Sequence, residues 1–263
     1  MSVELIAHVV VNVEAWALEE PMPRSLLPGP HGVNRVPDVP TYSWVEYGLR
    51  RGLPRIMRLF AEHGVRASAS MNASIIATHP EVVEAVRDAG WEIVAHGVTQ
   101  RALTAEADEA GVIERAAELI AEFTGERPRG WLGPGLQESF STPSLLKRAG
   151  FDYVCDWALD DVPTRLETPH GPLVSIPYPL ELNDSLLHAI QHYPSDELYL
   201  RLVRTLETFE QEEGSKLVTL GLHPHLMGVP HRFPHLSRCI ELLRSRSDIA
   251  FLSGSEIVDR FAE

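Results

Sequence analysis

The stretch Lys216-Leu-Val-Thr-Leu-Gly-Leu-His223-Pro-His225 is an apolar run that ends in two histidines. A short apolar run bounded by glycine and proline is typical of a strand buried on both faces. Similar runs recur along the chain, and each ends in a polar side chain. In a parallel sheet or barrel the carboxyl ends of the strands meet on one face, which carries the chemistry. The pattern therefore predicts an enzyme, with these side chains on the shared face: Glu14, His96, Asp156 and His223.

Eight apolar runs predict strands, and helical patterns lie between most of them. This alternation indicates a mostly parallel sheet, and eight strands suggest a barrel. The link from Asp156 to Leu173 has no helical pattern. We therefore expect an α/β fold, an irregular (β/α) barrel of about seven to eight strands, in a single domain over residues 1–263. The predicted strands are Leu5–Val13, Arg66–Met71, Glu92–Ala95, Gly130–Leu132, Tyr153–Cys155, Leu173–Ile176, Leu217–Leu222 and Ala250–Leu252.

Composition limits the classes of partner. The 263 residues carry a formal net charge of −14, which disfavours nucleic acid and anionic membrane surfaces. The first residues include no basic segment and lead directly into a predicted strand, and no apolar stretch is long enough to span a membrane. We therefore expect a cytoplasmic protein. Two cysteines are too few for a disulfide framework, and Cys155 is expected in the core.

Three side chains at strand ends are the candidate acid–base groups. Glu14 follows an apolar strand, where poor solvation favours a raised pKa and a role as general base, but it could also bind a metal or simply end the strand. His96 precedes Gly97, which lets a ligand approach the backbone, although a single histidine is often structural. His223 is the strongest candidate, because Pro224 ends its strand sharply.

Aromatic side chains near the same strand ends predict a surface for a flat polar ligand. Asp156 and Trp157 combine an acceptor with an aromatic wall, and Trp131 offers a second wall, although core packing also explains either tryptophan. The stretch from Trp44 to Tyr47 follows a proline-rich loop. It either covers the mouth of the barrel or packs as a surface loop.

The remaining histidine pairs are weaker signals. His188 and His192 have the spacing of two zinc ligands on one helix face, but the residues between them are not those of a zinc protease. His231 and His235 flank Pro234, which argues against a regular helix there. His225 faces the same way as His223 only if the chain stays extended. The sequence assigns no role to any of these five: His188, His192, His225, His231 and His235.

Seven short motifs follow one another in a specific order: Asn12-Val-Glu-Ala, Tyr42-Ser-Trp-Val-Glu-Tyr-Gly-Leu-Arg, Trp91-Glu-Ile-Val-Ala-His-Gly, Gly130-Trp-Leu-Gly-Pro, Asp156-Trp157, Glu181-Leu-Asn-Asp and Leu222-His-Pro-His. With them the chain resembles the polysaccharide deacetylase superfamily over nearly its whole length. It most resembles the branch of bacterial allantoinases and cyclic imide hydrolases. The resemblance implies a distorted (β/α) barrel, a small-molecule cyclic amide as substrate and a homotetramer as assembly.

The departures from this family concern the metal site. Asn12 and Glu14 stand where the sugar deacetylases have paired aspartates, and Leu132 stands where they have an arginine. Gln100 replaces their second metal-binding histidine and is a poor zinc ligand. The resemblance therefore favours a site without a cofactor. If a single divalent metal such as zinc is bound, Glu14 and His96 are its expected ligands.

Together these features predict a hydrolase of non-peptide C–N bonds that opens a small cyclic ureide or imide. Glu14 is expected to act as base, His96 to position the water or the oxyanion, and His223 to act as general acid. One alternative is a metal-dependent deacetylase of an N-acetylated carbohydrate, and another is a non-catalytic binding protein on the same barrel. The side chains expected to hold the ring are Trp44, Tyr47, Trp131, Asp156 and Trp157.

Overall fold

A mostly parallel sheet of nine strands forms the framework of the protein. The computed structural model describes residues 4–27 and 36–262. The strand order is β6-β7-β5-β4-β3-β2-β1-β8, with β9 paired to the first part of β1, and only the β6–β7 pair is antiparallel. The strands are β1 (Leu5–Val13), β2 (Ser68–Met71), β3 (Glu92–Ala95), β4 (Gly130–Trp131), β5 (Tyr153–Val154), β6 (Thr164–Leu166), β7 (Leu173–Ser175), β8 (Lys216–Leu222) and β9 (Ile249–Phe251).

Ten helices lie among the strands in the described part of the chain. The longest begins after Asp108, whose carboxylate accepts from the backbone N–H of Gly111, and ends at Gly125 with φ 87°. None of the described helices has the length and apolar character needed to cross a membrane. The helices are α1 (Val39–Tyr47), α2 (Leu53–His63), α3 (Ile75–Thr78), α4 (Pro80–Asp88), α5 (Glu109–Thr124), α6 (Thr142–Arg148), α7 (Glu197–Phe209), α8 (Pro224–Met227), α9 (Phe233–Arg244) and α10 (Gly254–Ala262).

The sheet curls into an incomplete barrel. Within residues 4–27 and 36–262, no strand ladder joins β7 to β8, and single contacts span that gap. Thr219 Oγ1 donates to the carbonyl of Pro177 at 2.7 Å, and Asn183 forms an isolated bridge with Gly221. The predicted irregular α/β barrel is therefore confirmed, with all eight predicted strands observed to within two residues at each end. The additional strand, β6, is short and partly exposed, so it has no buried apolar run to reveal it.

At two positions the structure has a helix in a proline-containing stretch where the sequence predicted none. The stretch from Trp44 to Tyr47 was expected to be a loop but belongs to α1, where Asp38 caps the helix and Pro40 occupies its first turn. His235 lies in α9, where a regular helix was not expected, because Pro234 also falls in the first turn. A proline there loses no intrahelical hydrogen bond and therefore starts a helix rather than breaking one. Residues 28–35 of the proline-rich loop lie outside the described residues.

Glycines bring α8 close to the turn that follows α1. That turn is a single π-helical segment, Gly48–Gly52. A Cβ atom on Gly48 would lie 2.6 Å from the Cβ of His225, and one on Gly52 would lie 2.1 Å from the carbonyl oxygen of Pro224. Such distances are far below van der Waals contact, so only glycine permits this approach. The contact fixes how deeply His225 enters the barrel mouth.

Candidate active site

Strand register brings the candidate acid–base groups to one level at the carboxyl end of the sheet. Val13 of β1 is paired with Met71 of β2, Met71 with Ala95 of β3, and Ala95 with Trp131 of β4. The residues that follow these partners are Glu14, Asn72, His96 and Leu132, so they share a layer. On the other side of β1, Val11 is paired with Leu222, which places His223 beside the same layer. Of the four side chains expected to share this face, the structure brings Glu14, His96 and His223 together, whereas Asp156 does not line the same cavity.

Glu14 is a buried carboxylate with one oxygen held and one free for chemistry. Its Oε2 accepts a hydrogen bond from Trp16 Nε1 at 2.9 Å. Its Oε1 lies 3.5 Å from His96 Nε2 and 3.6 Å from His223 Nε2. Burial raises the pKa of the Glu14 carboxyl, but the two imidazoles outweigh burial and hold its pKa well below the usual range. The raised pKa expected from the sequence is therefore wrong, and Glu14 is a carboxylate at neutral pH.

His223 is held between two carboxylates. Its Nδ1 donates to Asp184 Oδ1 at 2.6 Å, and its backbone N–H donates to Asp184 Oδ2 at 2.7 Å. Asp184 is completely buried. Burial lowers the pKa of His223, but Asp184 and then Glu14 outweigh burial and raise it to about 10. The imidazole is therefore a cation at neutral pH, with its Nε2–H directed towards Glu14 and available as an acid.

His96 presents an unpaired nitrogen to the same point. Its Nδ1 is 2.5 Å from the carbonyl oxygen of Leu132, a contact that requires the proton on Nδ1. Its Nε2 is buried and has no hydrogen-bond partner. With a ring proton on Nδ1 only, Nε2 is an acceptor that faces Glu14 Oε1, and a water molecule that donates to both atoms would satisfy both.

These groups open into a cavity of about 750 Å³. This volume lies within the usual range of small-molecule sites. The segment after β1 supplies one wall, which includes Trp16, Pro21 and Pro23. The lining also includes three apolar side chains, Leu180, Leu186 and Ile190. The cavity therefore combines the acid–base groups with both polar and apolar surface.

Tyr178 adds a neutral hydrogen-bond donor to the cavity. Its hydroxyl oxygen accepts from Asn12 Nδ2 at 2.8 Å, and Asn12 Nδ2 also donates to the carbonyl of Leu222 at 3.2 Å. Burial raises the pKa of the Tyr178 phenol, so it stays protonated. Because Asn12 occupies a lone pair of the hydroxyl, the phenolic proton is left to point elsewhere, and no acceptor for it is present among the described residues.

The side chains predicted to hold a flat ring lie outside this cavity. Trp131 is fully buried and packs edge-on against Phe151, with ring centroids 5.6 Å apart. Asp156 accepts from the backbone N–H of Gly133, and Trp157 donates from Nε1 to Glu138 at 2.7 Å. These three therefore support the loop behind the cavity rather than lining it.

The two aromatic residues of α1 have different surroundings. Trp44 packs against His225 with ring centroids 4.3 Å apart, so it supports the cavity from behind. Tyr47 is exposed and accepts a hydrogen bond from Arg55 at 3.0 Å. Among the described residues, the tryptophan and tyrosine side chains that line the cavity are Trp16 and Tyr178, and Trp44 and Tyr47 do not line it.

Of the other histidines that the structure describes, only His225 lines the cavity. Burial, followed by the charge of His223, lowers the pKa of His225 to about 3, so it is neutral. His188 lies in a π-helical segment, Ser185–Ile190, whereas His192 lies beyond it with φ 56°, so the two do not share a helix face. His231 and His235 lie at the start of α9, away from the lining.

The side chains present do not form a metal-ligand set. Across residues 4–27 and 36–262, no group of three or more His, Cys, Asp or Glu side chains is placed to hold a metal ion. Glu14 Oε2 is engaged by Trp16. The amide oxygen of Gln100, at the position of the missing histidine, accepts from Asn72 Nδ2 at 2.9 Å. The chemistry below is therefore built on these side chains alone.

The sequence analysis missed four residues of the site. Asp184 appears in the sequence only as the last residue of the motif Glu181-Leu-Asn-Asp, without a role of its own. Tyr178 lies in the irregular part of the barrel, where no periodic pattern indicates which way a side chain points. Trp16 follows the first motif but gave no separate signal. Asn72 ties the site together, since its Oδ1 accepts from the backbone of Ala15 and its Nδ2 donates to the carbonyl of His96.

Comparisons with known proteins agree with this architecture. The polysaccharide deacetylase family matches residues 37–154. A peptidoglycan deacetylase of Helicobacter pylori is 34% identical over 105 residues, which is 39% of this chain and 36% of that protein. The match thus spans about a third of that relative's length.

Two solved structures are similar over nearly the whole chain. The crystal structure of PuuE allantoinase has 28% sequence identity and a TM-score of 0.87, covering 98% of this chain and 90% of that one. A probable polysaccharide deacetylase from Pseudomonas aeruginosa has 26% identity and a TM-score of 0.85, with the same coverage. These similarities support a hydrolase that acts on C–N bonds. The chain is thus similar to the polysaccharide deacetylase superfamily in sequence over residues 37–154 and in fold over nearly its whole length.

Proposed function

We propose that this protein hydrolyses a small cyclic amide, a ureide or an imide, by adding water to a ring carbonyl. One observation carries the proposal. A buried carboxylate, Glu14, directs one oxygen at the Nε2 atoms of two histidines, and a second buried carboxylate, Asp184, keeps one of those histidines protonated. A base and an acid are thus ready together at neutral pH, as hydrolysis of a C–N bond requires.

The attacking water is held by His96 and activated by Glu14. It donates one hydrogen bond to His96 Nε2 and one to Glu14 Oε1, which lie 3.5 Å apart. Glu14 takes a proton as the water oxygen bonds to the carbonyl carbon. Because Trp16 holds Oε2, the proton goes to Oε1. The fixed carboxylate therefore needs little reorganisation during the reaction.

The carbonyl and the leaving nitrogen need two further donors. The free phenolic proton of Tyr178 donates to the carbonyl oxygen as negative charge develops there. The C–N bond then breaks as His223 Nε2 gives its proton to the departing nitrogen. Glu14 Oε1, 3.6 Å from His223 Nε2, returns the proton it took from water. Both residues thereby regain their starting charges, and the ring is opened to an acid and an amide or amine.

Two observations support a small substrate. The cavity has a volume of about 750 Å³, and its lining includes Trp16, Pro23, Leu180 and Ile190. PuuE allantoinase, an enzyme named for a cyclic ureide, shares the fold over 98% of this chain. A single-domain organisation over residues 1–263 and a homotetrameric assembly remain predictions.

A second candidate is deacetylation of an N-acetylated carbohydrate. It is supported by the family match over residues 37–154 and by the similarity to the H. pylori peptidoglycan deacetylase. The same base and acid would serve, because an acetamide also presents a carbonyl and a leaving nitrogen.

A substrate screen separates these candidates. Allantoin, hydantoin, succinimide and N-acetylglucosamine oligomers are incubated with the wild type, with Glu14→Gln and with Glu81→Gln, an exposed control on α4. We expect ring opening by the wild type, a decrease of about a thousandfold in Glu14→Gln as for loss of a general base, and no change in Glu81→Gln. Acetate release from the oligomers without ring opening would establish the deacetylase instead. Binding without any turnover would establish the non-catalytic alternative.

Removal of metal ions from the purified protein tests the prediction that the site works without a cofactor. Because Gln100 and Trp16 leave Glu14 and His96 without a complete ligand set, activity should persist after exhaustive chelation. Co-purification of one equivalent of zinc, with activity lost on chelation and restored by zinc, would make Glu14 and His96 metal ligands.

A further inference from the structure

The stretch of residues 16–26, between β1 and α1, is held at both ends and contributes to the lining of the cavity. Trp16 anchors its beginning through the hydrogen bond to Glu14. Near its other end, Ser25 Oγ donates to Asp38 Oδ2 at 2.8 Å, and the backbone N–H of Leu26 donates to Thr41 Oγ1 at 3.1 Å. Both acceptors lie at the start of α1. The residues between these anchors therefore line the cavity in a defined position.

Arg24 brings an uncompensated positive charge to this wall. It lines the cavity, and within the described residues its guanidinium has no ion pair or hydrogen bond. Arg101, the other arginine of the lining, is already paired with Glu106 at 3.4 Å. The Arg24 charge also contributes, after burial and His223, to the lowered pKa of His225, which places the guanidinium close to the interior of the cavity.

The acidic groups of the cavity do not neutralise Arg24. Glu14 is directed at the two histidines, and Asp184 is occupied by both nitrogen donors of His223. Glu20 shares the wall but makes no ion pair with Arg24 among the described residues. A protein with a net charge of −14 thus holds a free guanidinium in its main cavity. A guanidinium of this kind suits bidentate binding of a carboxylate or a phosphate.

We infer that the substrate carries an anionic substituent, a carboxylate or a phosphate, beside the amide that is hydrolysed, and that Arg24 binds this substituent. The inference rests on the proposed function for the identity of the bond that breaks. The apolar side chains of the same lining, Leu180, Leu186 and Ile190, would accept the uncharged edge of the ring. The substituent therefore fixes how the ring is oriented between Tyr178 and His223.

The test uses three hydantoins that differ in one substituent: a carboxymethyl group, the uncharged carboxamidomethyl group of similar shape, and a phosphonomethyl group. Each is given to the wild type, to Arg24→Gln and to Arg148→Gln. Arg148 is exposed on α6 and does not line the cavity, so this control makes the same change in net charge. We expect kcat/KM of the wild type to favour an anionic ring by about tenfold to a hundredfold, as for a charge-assisted hydrogen bond. Arg24→Gln should lose this preference and Arg148→Gln should keep it.

Binding is measured separately from turnover, by calorimetry in the inactive Glu14→Gln background, with and without Arg24→Gln. Tighter binding of an anionic ring that depends on Arg24 supports the inference even if the wild type does not open the ring, which would reject the proposed function alone. Equal affinity for charged and uncharged rings, or a preference that survives Arg24→Gln, overturns the inference. Failure of all three rings to bind rejects both. Comparison of the carboxylate with the phosphonate identifies the anion.

Discussion

Replacing Asp184 with asparagine tests whether a buried carboxylate keeps His223 protonated. The side chain keeps its shape but loses its charge. In the wild type, Asp184 accepts from His223 Nδ1 at 2.6 Å and from the backbone N–H of His223 at 2.7 Å. The asparagine has a single acceptor oxygen, so its amide group must face one of these two donors. His223 therefore loses both its ionic partner and one hydrogen bond.

The expected size of the effect follows from the pKa of His223. The difference between about 10 in the folded protein and the usual 6.5, at about 1.4 kcal/mol per pH unit, is roughly 5 kcal/mol in favour of the imidazolium. Asp184 contributes more of this than Glu14 does. Because the folded pKa is raised, the stabilisation is fully present below pH 6.5 and is lost as the pH rises through 10. Asp184→Asn should therefore lose about 3 kcal/mol of unfolding free energy at pH 6, the usual cost of breaking a buried pair, and much less above pH 10.

Urea unfolding at pH 6 and at pH 10.5 measures this difference, with Asp88→Asn as an exposed control of the same chemistry. The alkaline limb of the kcat/KM profile should also move from near pH 10 towards neutral pH, because His223 is the acid. A loss of unfolding free energy that is the same at both pH values would refute the reasoning. An alkaline limb that stays in place in the variant would do so as well.

Two further substitutions test neighbouring parts of the site. Tyr178→Phe should lower kcat by about a hundredfold with little change in KM, because the hydroxyl acts on charge that develops in the transition state; an unchanged kcat would remove Tyr178 from the mechanism. Asp156→Asn should raise the Tm at pH 8 but not at pH 4. Burial and the nearby Glu138 raise the pKa of the Asp156 carboxyl well above its usual value, so ionisation of this carboxyl destabilises the fold as the pH rises. In the variant the asparagine carries no charge, and its amide oxygen still accepts from the backbone N–H of Gly133. A lower Tm at pH 8, measured by thermal denaturation, would show that the Asp156 charge stabilises the fold.

Eight of the nine described strands were predictable because each lies in a largely apolar run, and the ends of three of them identified Glu14, His96 and His223. The residues predicted to hold the ring could not be placed reliably from the sequence, because the direction of a side chain alternates along a strand. Leu132 faces the inside of the barrel, so its predecessor Trp131 faces the helices outside and packs there with Phe151. A two-residue strand gives too short a pattern to decide between these directions.

Asp184 and Tyr178 were not predictable for a different reason. Both lie between β7 and β8, where the barrel is closed by single contacts such as that between Asn183 and Gly221. A segment without regular hydrogen bonding has no sequence period, so its side chains cannot be assigned to a face. The sequence therefore identified only part of the proposed acid–base site. Asp184, which raises the pKa of His223, lies in the irregular segment between β7 and β8.

The double pairing of β1 has a consequence for how the protein is made. This strand precedes β8 in the chain by most of the described residues, yet one of its sides is covered by β8. Until β8 has been synthesised, an apolar nine-residue strand keeps an open edge. Contacts so distant in sequence form slowly, and unpaired edges promote aggregation. Glu14 and His223 meet only when that edge closes, so the proposed base and acid come together only after β8 has paired with β1.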